Sequence, residues 1–185
     1  MGLATFIGGV HPYEGKELSM EHPITVLQPK GVEMVFPLSQ HIGAPAKPLV
    51  AVGDEVLVGQ IIAEAGGFIS ANVISSVSGK VKKIEPRRVA NGSMVNSIII
   101  EDNKEYNAIE GFGEKRDYIR LSKDKIRKIV KDAGIVGLGG AGFPTHVKIS
   151  PKNEDEINYI IVNGAECEPY LTSDYRLTME EPKKI

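Results

Sequence analysis

The chain is short of the residues on which several classes of protein depend. Its 185 residues include one cysteine and no tryptophan, and 22 basic residues nearly balance 24 acidic ones, for a formal net charge of −2. Proteins that bind nucleic acids carry a strongly basic patch or stripe, which this balance does not supply. We therefore expect no binding to DNA or RNA.

Long hydrophobic runs are also missing. No apolar run approaches the roughly 18 to 20 residues that cross a bilayer, and no signal-peptide pattern opens the chain. We therefore expect a cytoplasmic location, with any attachment to a membrane made through partner proteins.

The single cysteine limits the metal chemistry. An iron–sulfur cluster is usually held by four closely spaced cysteines, so Cys167 cannot hold one alone, and we expect it to be a small packed residue. His11 and His41 have no other metal ligand at a useful spacing, and neither is assigned a chemical role. No metal site is predicted.

The first half of the chain has a pattern of short strands. Residues 52–65 and 75–84 combine β-branched residues with glycine turns, and a third strand at residues 95–100 follows a turn at Asn91 and Gly92. With 42% apolar residues, the chain can bury a core. The basic residues of this half are interpreted as a solvated edge: Lys80, Lys82, Arg87 and Arg88.

The second half begins with a linker and a helix. Residues 103–120 are charged and contain glycines, which is typical of a linker. Ser122 is the predicted N-cap of a helix whose apolar residues recur at helical spacing up to a stop at Gly134. Residues 157–162 are apolar and β-branched and predict a strand inside a sheet, followed by a helix from Tyr175 onward.

A glycine-rich run, residues 137–145 (GLGGAGFPT), follows the first of these helices. Absent side chains let the backbone approach a bulky anion and leave amide N–H groups free to donate, which suits a nucleotide phosphate or a flavin edge. Gly137, Gly139 and Gly142 satisfy the G-x-G-x-x-G dinucleotide pattern, but that pattern requires a preceding strand. Because a helix precedes these glycines, we reject the ordinary Rossmann interpretation.

An acidic turn, residues 163–169 (NGAECEP), follows the predicted strand. Ligands of open α/β sheets collect beyond the carboxyl ends of strands. Asn163 can donate and accept, which suits a flavin ring edge, whereas Glu166 and Glu168 can accept from ribose hydroxyls or a carboxamide. Taken alone, the turn also fits a polar loop that ends at Pro169.

At these motifs the chain resembles a known family. Residues 137–148 (GLGGAGFPTHVK) and 163–169 are similar to the flavin-binding subunit of respiratory NADH:quinone oxidoreductases. They are closer to the C subunit of the Rnf complex, an ion-translocating ferredoxin:NAD oxidoreductase. Residues 6–12 (FIGGVHP) and 37–48 (PLSQHIGAPAKP) also resemble that subunit, so the resemblance covers nearly the whole chain.

The resemblance implies a site for FMN and NADH. The residues it places against FMN are Gly137, Leu138, Gly139, Lys148, Asn163, Ala165, Glu166 and Cys167, and the predicted cofactor-binding set also includes Gly140. It places NADH near Phe143, Glu166 and Glu168. Lys148 is expected to neutralise a phosphate or a reduced flavin, and Phe143 to support a ring.

Alternatives for single residues stay open. Taken alone, Lys148 also fits an exposed surface lysine, and Phe143 fits simple packing. The respiratory subunits have arginine at the position of Leu138 and aspartate at the position of Ala165. One cationic and one carboxylate contact of that pattern are therefore missing here.

The resemblance also implies the fold. Residues 52–65 and 75–84 resemble the halves of a biotinyl-lipoyl domain, whose modified lysine lies between them. Residues 64–79 contain no lysine, so the fold can be kept but the swinging arm cannot. The predicted class is α/β plus β, with an N-terminal barrel-sandwich-hybrid (lipoyl-like) β domain followed by the start of an α/β FMN/NADH-binding domain. The predicted domains are an N-terminal segment and β domain in residues 1–102, a linker in 103–120 and a truncated α/β domain in 121–185.

The implied protein is an N-terminal fragment of a flavoprotein electron-transport subunit, inactive by itself. The subunit moves electrons between NAD(H) and ferredoxin through FMN and through [4Fe-4S] clusters that lie C-terminal to this region. It acts with partner subunits at the cytoplasmic face of a membrane-bound, ion-translocating complex. Two alternatives stay open: a soluble electron-transfer subunit that feeds an amino-acid reductase, and a docking module for partner subunits that binds no flavin.

Overall fold

The computed structural model describes residues 9–10, 12–27 and 32–185. Its contacts divide the chain into two compact units. The larger unit is residues 29–156, and the smaller unit joins residues 1–28 to residues 157–185. The predicted domain boundaries fall at other points of the chain and stay a prediction.

Part of the N-terminal motif at residues 6–12 lies outside the described residues. The residues concerned are Phe6, Ile7, Gly8 and His11. The interpretation of His11 as a residue without a chemical role therefore stays a prediction.

The β domain lies in the larger unit, and its strands pair antiparallel. They are β1 (Glu33–Pro37), β2 (Lys47–Pro48), β3 (Glu55–Val56), β4 (Ile61–Glu64), β5 (Val73–Ile74), β6 (Gly79–Arg88) and β7 (Met94–Asp102). β1, β7, β6 and β3 form one sheet in that order, and β2, β4 and β5 form a second. The short-strand architecture predicted for this half is confirmed.

The hairpin of β6 and β7 organises the larger sheet. Gly92 has a φ of 85° in the turn, where the Val89 N–H donates to the Ser93 carbonyl oxygen over 3.0 Å. Glycine reaches this left-handed conformation without a steric penalty. The turn predicted at Asn91 and Gly92 is confirmed.

The core lies between the two sheets. Ile98 and Ile100 of β7, Ile62 of β4 and Val77 are 0% exposed. Complete burial of such a side chain stabilises the fold by about 1.5–3 kcal/mol. These apolar contacts, together with the antiparallel ladders, hold the β domain together.

Two basic residues of β6, Lys82 and Arg87, are paired with carboxylates. Lys82 Nζ is 2.8 Å from Glu33 Oε1, and Arg87 Nη2 is 2.8 Å from Glu85 Oε1. The hydrogen bond from Lys82 holds the pKa of Glu33 below its usual value. Lys80, Lys82 and Arg88 are exposed, as predicted, whereas Arg87 is half-buried, and β6 lies between β7 and β3 rather than at the edge of its sheet.

The segment predicted as a linker lies partly against the β domain. The Val58 N–H donates to the Asn107 carbonyl oxygen over 2.9 Å, and the Ile109 N–H donates to the Val58 carbonyl oxygen over 3.0 Å. Phe112 lies at the position that a side chain on Gly59 would need. Part of residues 103–120 is therefore held in place.

The helices are α1 (Lys123–Asp132), α2 (Thr145–Lys148) and α3 (Ser173–Glu180). The Ser122 hydroxyl caps α1 by accepting from the Lys125 N–H over 3.3 Å, and Gly134 follows α1 with a φ of 64°. Both predicted helix signals are confirmed. The helix expected from Tyr175 begins two residues earlier, at Ser173.

The strand predicted at residues 157–162 is wrong. These residues form no strand, and Ile160 and Ile161 are 91% and 89% exposed. A strand needs a neighbouring strand to which its backbone can hydrogen-bond, and none of the described residues forms a β ladder with this run. Residues 103–185 contain helices, turns and isolated bridges but no strand.

The smaller unit is joined mainly by polar contacts. The Tyr170 N–H donates to the Glu14 carbonyl oxygen over 2.6 Å, and Arg176 Nη1 donates to the Met20 carbonyl oxygen over 2.9 Å. In residues 157–185 Thr172 is buried, whereas no hydrophobic residue is. In the described part of the chain, no helix has both the length and the apolar character needed to cross a membrane.

Candidate functional site

The glycine-rich run forms a closed loop between α1 and α2. The Gly137 N–H donates to the Phe143 carbonyl oxygen over 2.8 Å, and the Thr145 N–H donates to the Ile135 carbonyl oxygen over 3.0 Å. Because α1 rather than a strand precedes the loop, rejection of the Rossmann interpretation is confirmed.

One side of this loop is open backbone. A side chain on Gly139 or Gly140 would meet no atom within 4 Å, and Gly140 has a φ of 43°. Leu138 is 97% exposed. Among the described residues, none accepts a hydrogen bond from the amides of residues 138–140. The loop therefore presents unpaired N–H donors of the kind that bind anions.

A cation lies at the base of the loop. The Lys148 ammonium group occupies the space that a side chain on Gly137 would need, so any other residue at position 137 would displace it. Lys148 is the last residue of α2 and is exposed. Together the ammonium and the open amides form a donor set suited to a phosphate or another anion.

The second basic residue of α2 does not add to this charge. Burial lowers the pKa of His146, and the nearby Lys131 lowers it further. The imidazole is therefore neutral at neutral pH. Of the two basic side chains of α2, Lys148 carries the positive charge.

The loop also contacts the β domain at residues that the sequence did not single out. The Ile42 N–H donates to the Ala141 carbonyl oxygen over 3.1 Å. A Cβ atom on Gly142 would lie 2.7 Å from the Gln40 carbonyl oxygen. Residues 37–48 stand out in the sequence only through the family resemblance. The sequence does not predict their contact with the loop, because a contact between residues a hundred positions apart leaves no local signal.

His41 is buried and takes part in hydrogen bonds within the β domain. The residue is 8% exposed, and its Nε2 accepts from the Ala71 N–H over 3.2 Å. In the described part of the chain, no group of three or more histidine, cysteine, aspartate or glutamate side chains is arranged to hold a metal ion.

The acidic turn lies in the smaller unit, where Glu166 caps a helix. Glu166 Oε1 accepts from the N–H groups of Asp174 and Tyr175 over 2.8 and 3.1 Å. A carboxylate is favourable here because the first amides of a helix are unpaired and the N-terminal end of the helix dipole is positive. Thr172 precedes α3 but makes no side-chain cap. Glu166 therefore holds the turn to α3.

The other side chains of the turn are exposed. Asn163 Oδ1 accepts from the Ala165 N–H over 3.0 Å and shapes the turn. Cys167 is exposed, so its interpretation as a packed residue is wrong; the turn carries it away from any core. Glu168 is exposed and receives no hydrogen bond or ion pair from the described residues.

The structure thus groups the predicted site residues in two sets. The glycine-rich loop and α2 of the larger unit carry Gly137, Leu138, Gly139, Gly140, Phe143 and Lys148. One turn of the smaller unit carries Asn163, Ala165, Glu166, Cys167 and Glu168. Their assignment to a cofactor stays a prediction.

The folded elements define a class: a small antiparallel β domain followed by a helix and a glycine-rich loop. Residues 4–105 match the family model of the RnfC barrel sandwich hybrid domain, and residues 130–185 match that of the Nuo51 FMN-binding domain. The chain belongs to the RnfC family. The predicted fold class is confirmed.

Curated relatives agree with this assignment. The chain is 42% identical over 99% of its length to the C subunit of a proton-translocating ferredoxin:NAD(+) oxidoreductase complex from Clostridium ljungdahlii. It is 43% identical over 98% of its length to the corresponding subunit of a Na(+)-translocating complex from Acetobacterium woodii. It is 40% identical over 96% of its length to the C subunit of an ion-translocating oxidoreductase complex from Rhodobacter capsulatus. The chain spans 40%, 41% and 34% of the length of these three relatives.

Proposed function

We propose that this chain forms the part of an oxidoreductase subunit that binds FMN and NAD(H) and passes electrons within an Rnf-type complex. The observation that carries the proposal is the glycine-rich loop. Its amides at residues 138–140 are open, and the Lys148 ammonium lies against Gly137. The loop lies within the stretch that matches an FMN-binding domain.

The residues present fit an FMN phosphate. The open amides and Lys148 supply the donors, whereas a side chain at residue 139 or 140 would project into the space that the ligand needs. When bound, the flavin would supply two-electron exchange with NADH and one-electron transfer onward. Leu138 offers no charge, so Lys148 is the cation on which the loop depends.

In the acidic turn, the available carboxylate is Glu168. Glu166 is already engaged by two amides of α3, whereas Glu168 is exposed. A free carboxylate accepts hydrogen bonds from ribose hydroxyls or from a carboxamide. We therefore give Glu168 the direct contact with NADH, Glu166 the role of fixing the turn, and Phe143 that of supporting a ring.

The wider function follows from the names of the relatives. We propose that electrons pass between NAD(H) and ferredoxin through FMN and then through [4Fe-4S] clusters held elsewhere in the protein, since one cysteine cannot hold a cluster. The subunit would act at the cytoplasmic face of the membrane through partner subunits. Both directions of electron flow are compatible with these residues.

The two alternative functions differ from this proposal in the expected binding of FMN or in the expected partner proteins. A soluble subunit that feeds an amino-acid reductase would bind FMN and NADH equally well but would not copurify with membrane subunits. A docking module would bind partner subunits through the β domain and would bind no flavin. The open loop amides favour the two flavin-binding functions.

The test is an FMN titration of the full-length polypeptide, followed by flavin absorbance as NADH is added. Lys148→Ala removes a charge-assisted contact of about 1.5–3 kcal/mol, which corresponds to a Kd raised about 10- to 100-fold. Lys152→Ala is the matched control, because Lys152 is exposed and lies four residues further along the chain. We expect the control to bind FMN as the unsubstituted protein does.

Absence of FMN binding in the full-length protein would exclude both flavin-binding functions and favour the docking module. If FMN binds but Lys148→Ala and Lys152→Ala bind it equally, the loop is not the phosphate site. Bleaching of the bound flavin by NADH is the expected outcome for the full proposal.

A further inference from the structure

Two loops at one end of the β domain interlock beside the glycine-rich loop. We call them the mount: residues 40–46, and residues 65–72 between β4 and β5. The Ser70 hydroxyl donates to the Ala44 carbonyl oxygen over 2.8 Å and accepts from the Gly66 N–H over 2.9 Å. The Ala44 N–H donates to the Ile69 carbonyl oxygen over 3.1 Å. Each loop therefore satisfies backbone groups of the other.

The buried side chain of His41 connects the two loops of the mount. Its Nε2 accepts from the Ala71 N–H, and its Nδ1 lies 3.2 Å from the Ile42 carbonyl oxygen. A neutral imidazole with its proton on Nδ1 satisfies both contacts at once. The ring thus ties residue 42 of one loop to residue 71 of the other.

Asn72 joins the mount to the end of α1. Its Oδ1 accepts from the Ala65 N–H over 2.9 Å, and its Nδ2 donates to the Asp132 carbonyl oxygen over 3.1 Å. Gly134 lies directly against the Asn72 carbonyl oxygen, where no other residue would fit without a shift. The point at which the chain turns from α1 toward the glycine-rich loop is therefore fixed by Asn72.

A second contact fixes the far side of the loop. Here the Ile42 N–H holds the Ala141 carbonyl oxygen, and Gly142 lies against the Gln40 carbonyl oxygen. A cavity of about 310 Å³ remains between the mount and α1, and Phe36, His41 and Ala133 are among the residues that line it. Polar contacts, among them the Asn72 hydrogen bond to the Asp132 carbonyl oxygen, therefore contribute to holding this junction.

We propose that the mount holds the glycine-rich loop in the shape that receives the cofactor, with Asn72 and His41 as positioning residues. In its reference to FMN, the inference rests on the proposed function. It gives the β domain a role within the flavin site, because the β domain contacts Gly134 before the open amides and Ala141 and Gly142 after them. A loop that is already held in its binding conformation loses less conformational freedom on ligand binding than a mobile loop does.

Two substitutions in the full-length polypeptide test the mount. Asn72→Asp keeps the acceptor for the Ala65 N–H but replaces the donor to the Asp132 carbonyl oxygen with a second, negatively charged acceptor. Gly142→Ala places a methyl group against the Gln40 carbonyl oxygen. Asn72→Asp changes a residue of the mount, and Gly142→Ala changes a residue of the loop.

Each substitution has a matched control. Asn91→Asp makes the same charge change in the β6–β7 turn, where Asn91 Oδ1 accepts from the N–H and the hydroxyl of Ser93. Gly113→Ala introduces the same methyl group at a similar left-handed φ of 77°, with no atom within 4 Å. Neither control touches the mount or the loop.

The measurement is amide hydrogen exchange, made without FMN and then compared with the FMN dissociation constant. The informative peptides cover residues 40–46 and 135–148, which contain the hydrogen-bonded amides of Ile42, Gly137 and Thr145. We expect exchange there to be at least tenfold faster in Asn72→Asp and Gly142→Ala, with a peptide from β7 unchanged. We also expect FMN to bind at least tenfold more weakly, and both controls to match the unsubstituted protein.

Unchanged exchange in the loop peptides of both variants would overturn the proposal. Equal acceleration in β7 would also overturn it, since the contacts would then stabilise the whole domain rather than position the loop. If the unsubstituted protein binds no FMN, the proposed function fails, whereas the exchange measurement still decides whether the mount holds the loop.

Discussion

Two runs of this chain have nearly the same composition and opposite surroundings. Residues 95–100 (VNSIII) lie in β7, where Ile98, Ile99 and Ile100 are 0% exposed. Residues 157–162 (INYIIV) form no strand, and Ile160 and Ile161 are almost fully exposed.

The difference lies in the neighbours that each run has. β7 pairs on one side with β1 and on the other with β6, so that Ile98 is opposite both Phe36 and Ile84. Among the described residues, no strand forms a ladder with residues 157–162. A β-branched composition therefore indicates that a run can form a strand, whereas burial depends on partners distant in sequence.

The largest expected effect on stability is that of a substitution in the buried run. Ile98→Ala removes a fully buried side chain and leaves a cavity, which costs about 2–5 kcal/mol. Ile160→Ala, the matched change in the exposed run, is expected to alter the free energy of unfolding by less than about 0.5 kcal/mol. Urea unfolding of the 185-residue chain measures both. Equal losses would show that residues 157–162 are buried in solution.

The success of sequence analysis differed between the β domain and the rest of the chain for the same reason. The strands around Asn91 and Gly92 were predictable because the turn and both strands of the hairpin are local. The Ser122 cap and the stop at Gly134 were also local signals. Residues 157–162 gave an equally clear pattern, but the neighbouring strands that a sheet requires are not encoded within the run.

An intermediate effect, on self-association, is expected from a substitution in the exposed run at residues 157–162. An apolar, β-branched run without a neighbouring strand favours pairing with a second copy. Ile161→Lys places a charge within it and is expected to lower self-association of the 185-residue chain at high concentration, with the unfolding midpoint unchanged. Sedimentation velocity measures this, and Thr178→Lys in α3 is the control for added charge. Identical sedimentation of the two variants and the unsubstituted chain would contradict it.

The candidate site shows the same limit of sequence analysis. The glycine-rich loop and Lys148 were identified from residue type, because open backbone and a cation are properties of the local sequence. The capping of α3 by Glu166 was missed, since the two amides it accepts lie eight and nine residues further along the chain. Contacts of Gly134 and Gly142 with the β domain were missed because they join distant segments.

The smallest expected effect concerns how the smaller unit responds to acid, in contrast to the apolar β core. Both carboxylate oxygens of Glu180 accept from the Ile24 N–H, over 3.0 and 3.1 Å. This bond, together with Arg176, lowers the pKa of Glu180 below its ordinary value of 4.5. A carboxyl with a lowered pKa in the folded state stabilises the fold above its unfolded pKa. That stabilisation is lost as the pH falls below 4.5 and through the folded pKa.

We therefore expect the NMR signal of the Ile24 amide to shift with a midpoint below pH 4.5. The amide of the buried Ile98, whose partners on the neighbouring strands are the apolar Phe36 and Ile84, is expected to stay unchanged over the same range. Glu180→Gln keeps an acceptor oxygen but cannot titrate, so it should abolish the shift. A midpoint at or above 4.5 would show that the contact with Ile24 does not form in solution. A simultaneous change at Ile98 would show that acid acts on the apolar core of the β domain directly, and the contrast between a polar unit and an apolar core would then fail.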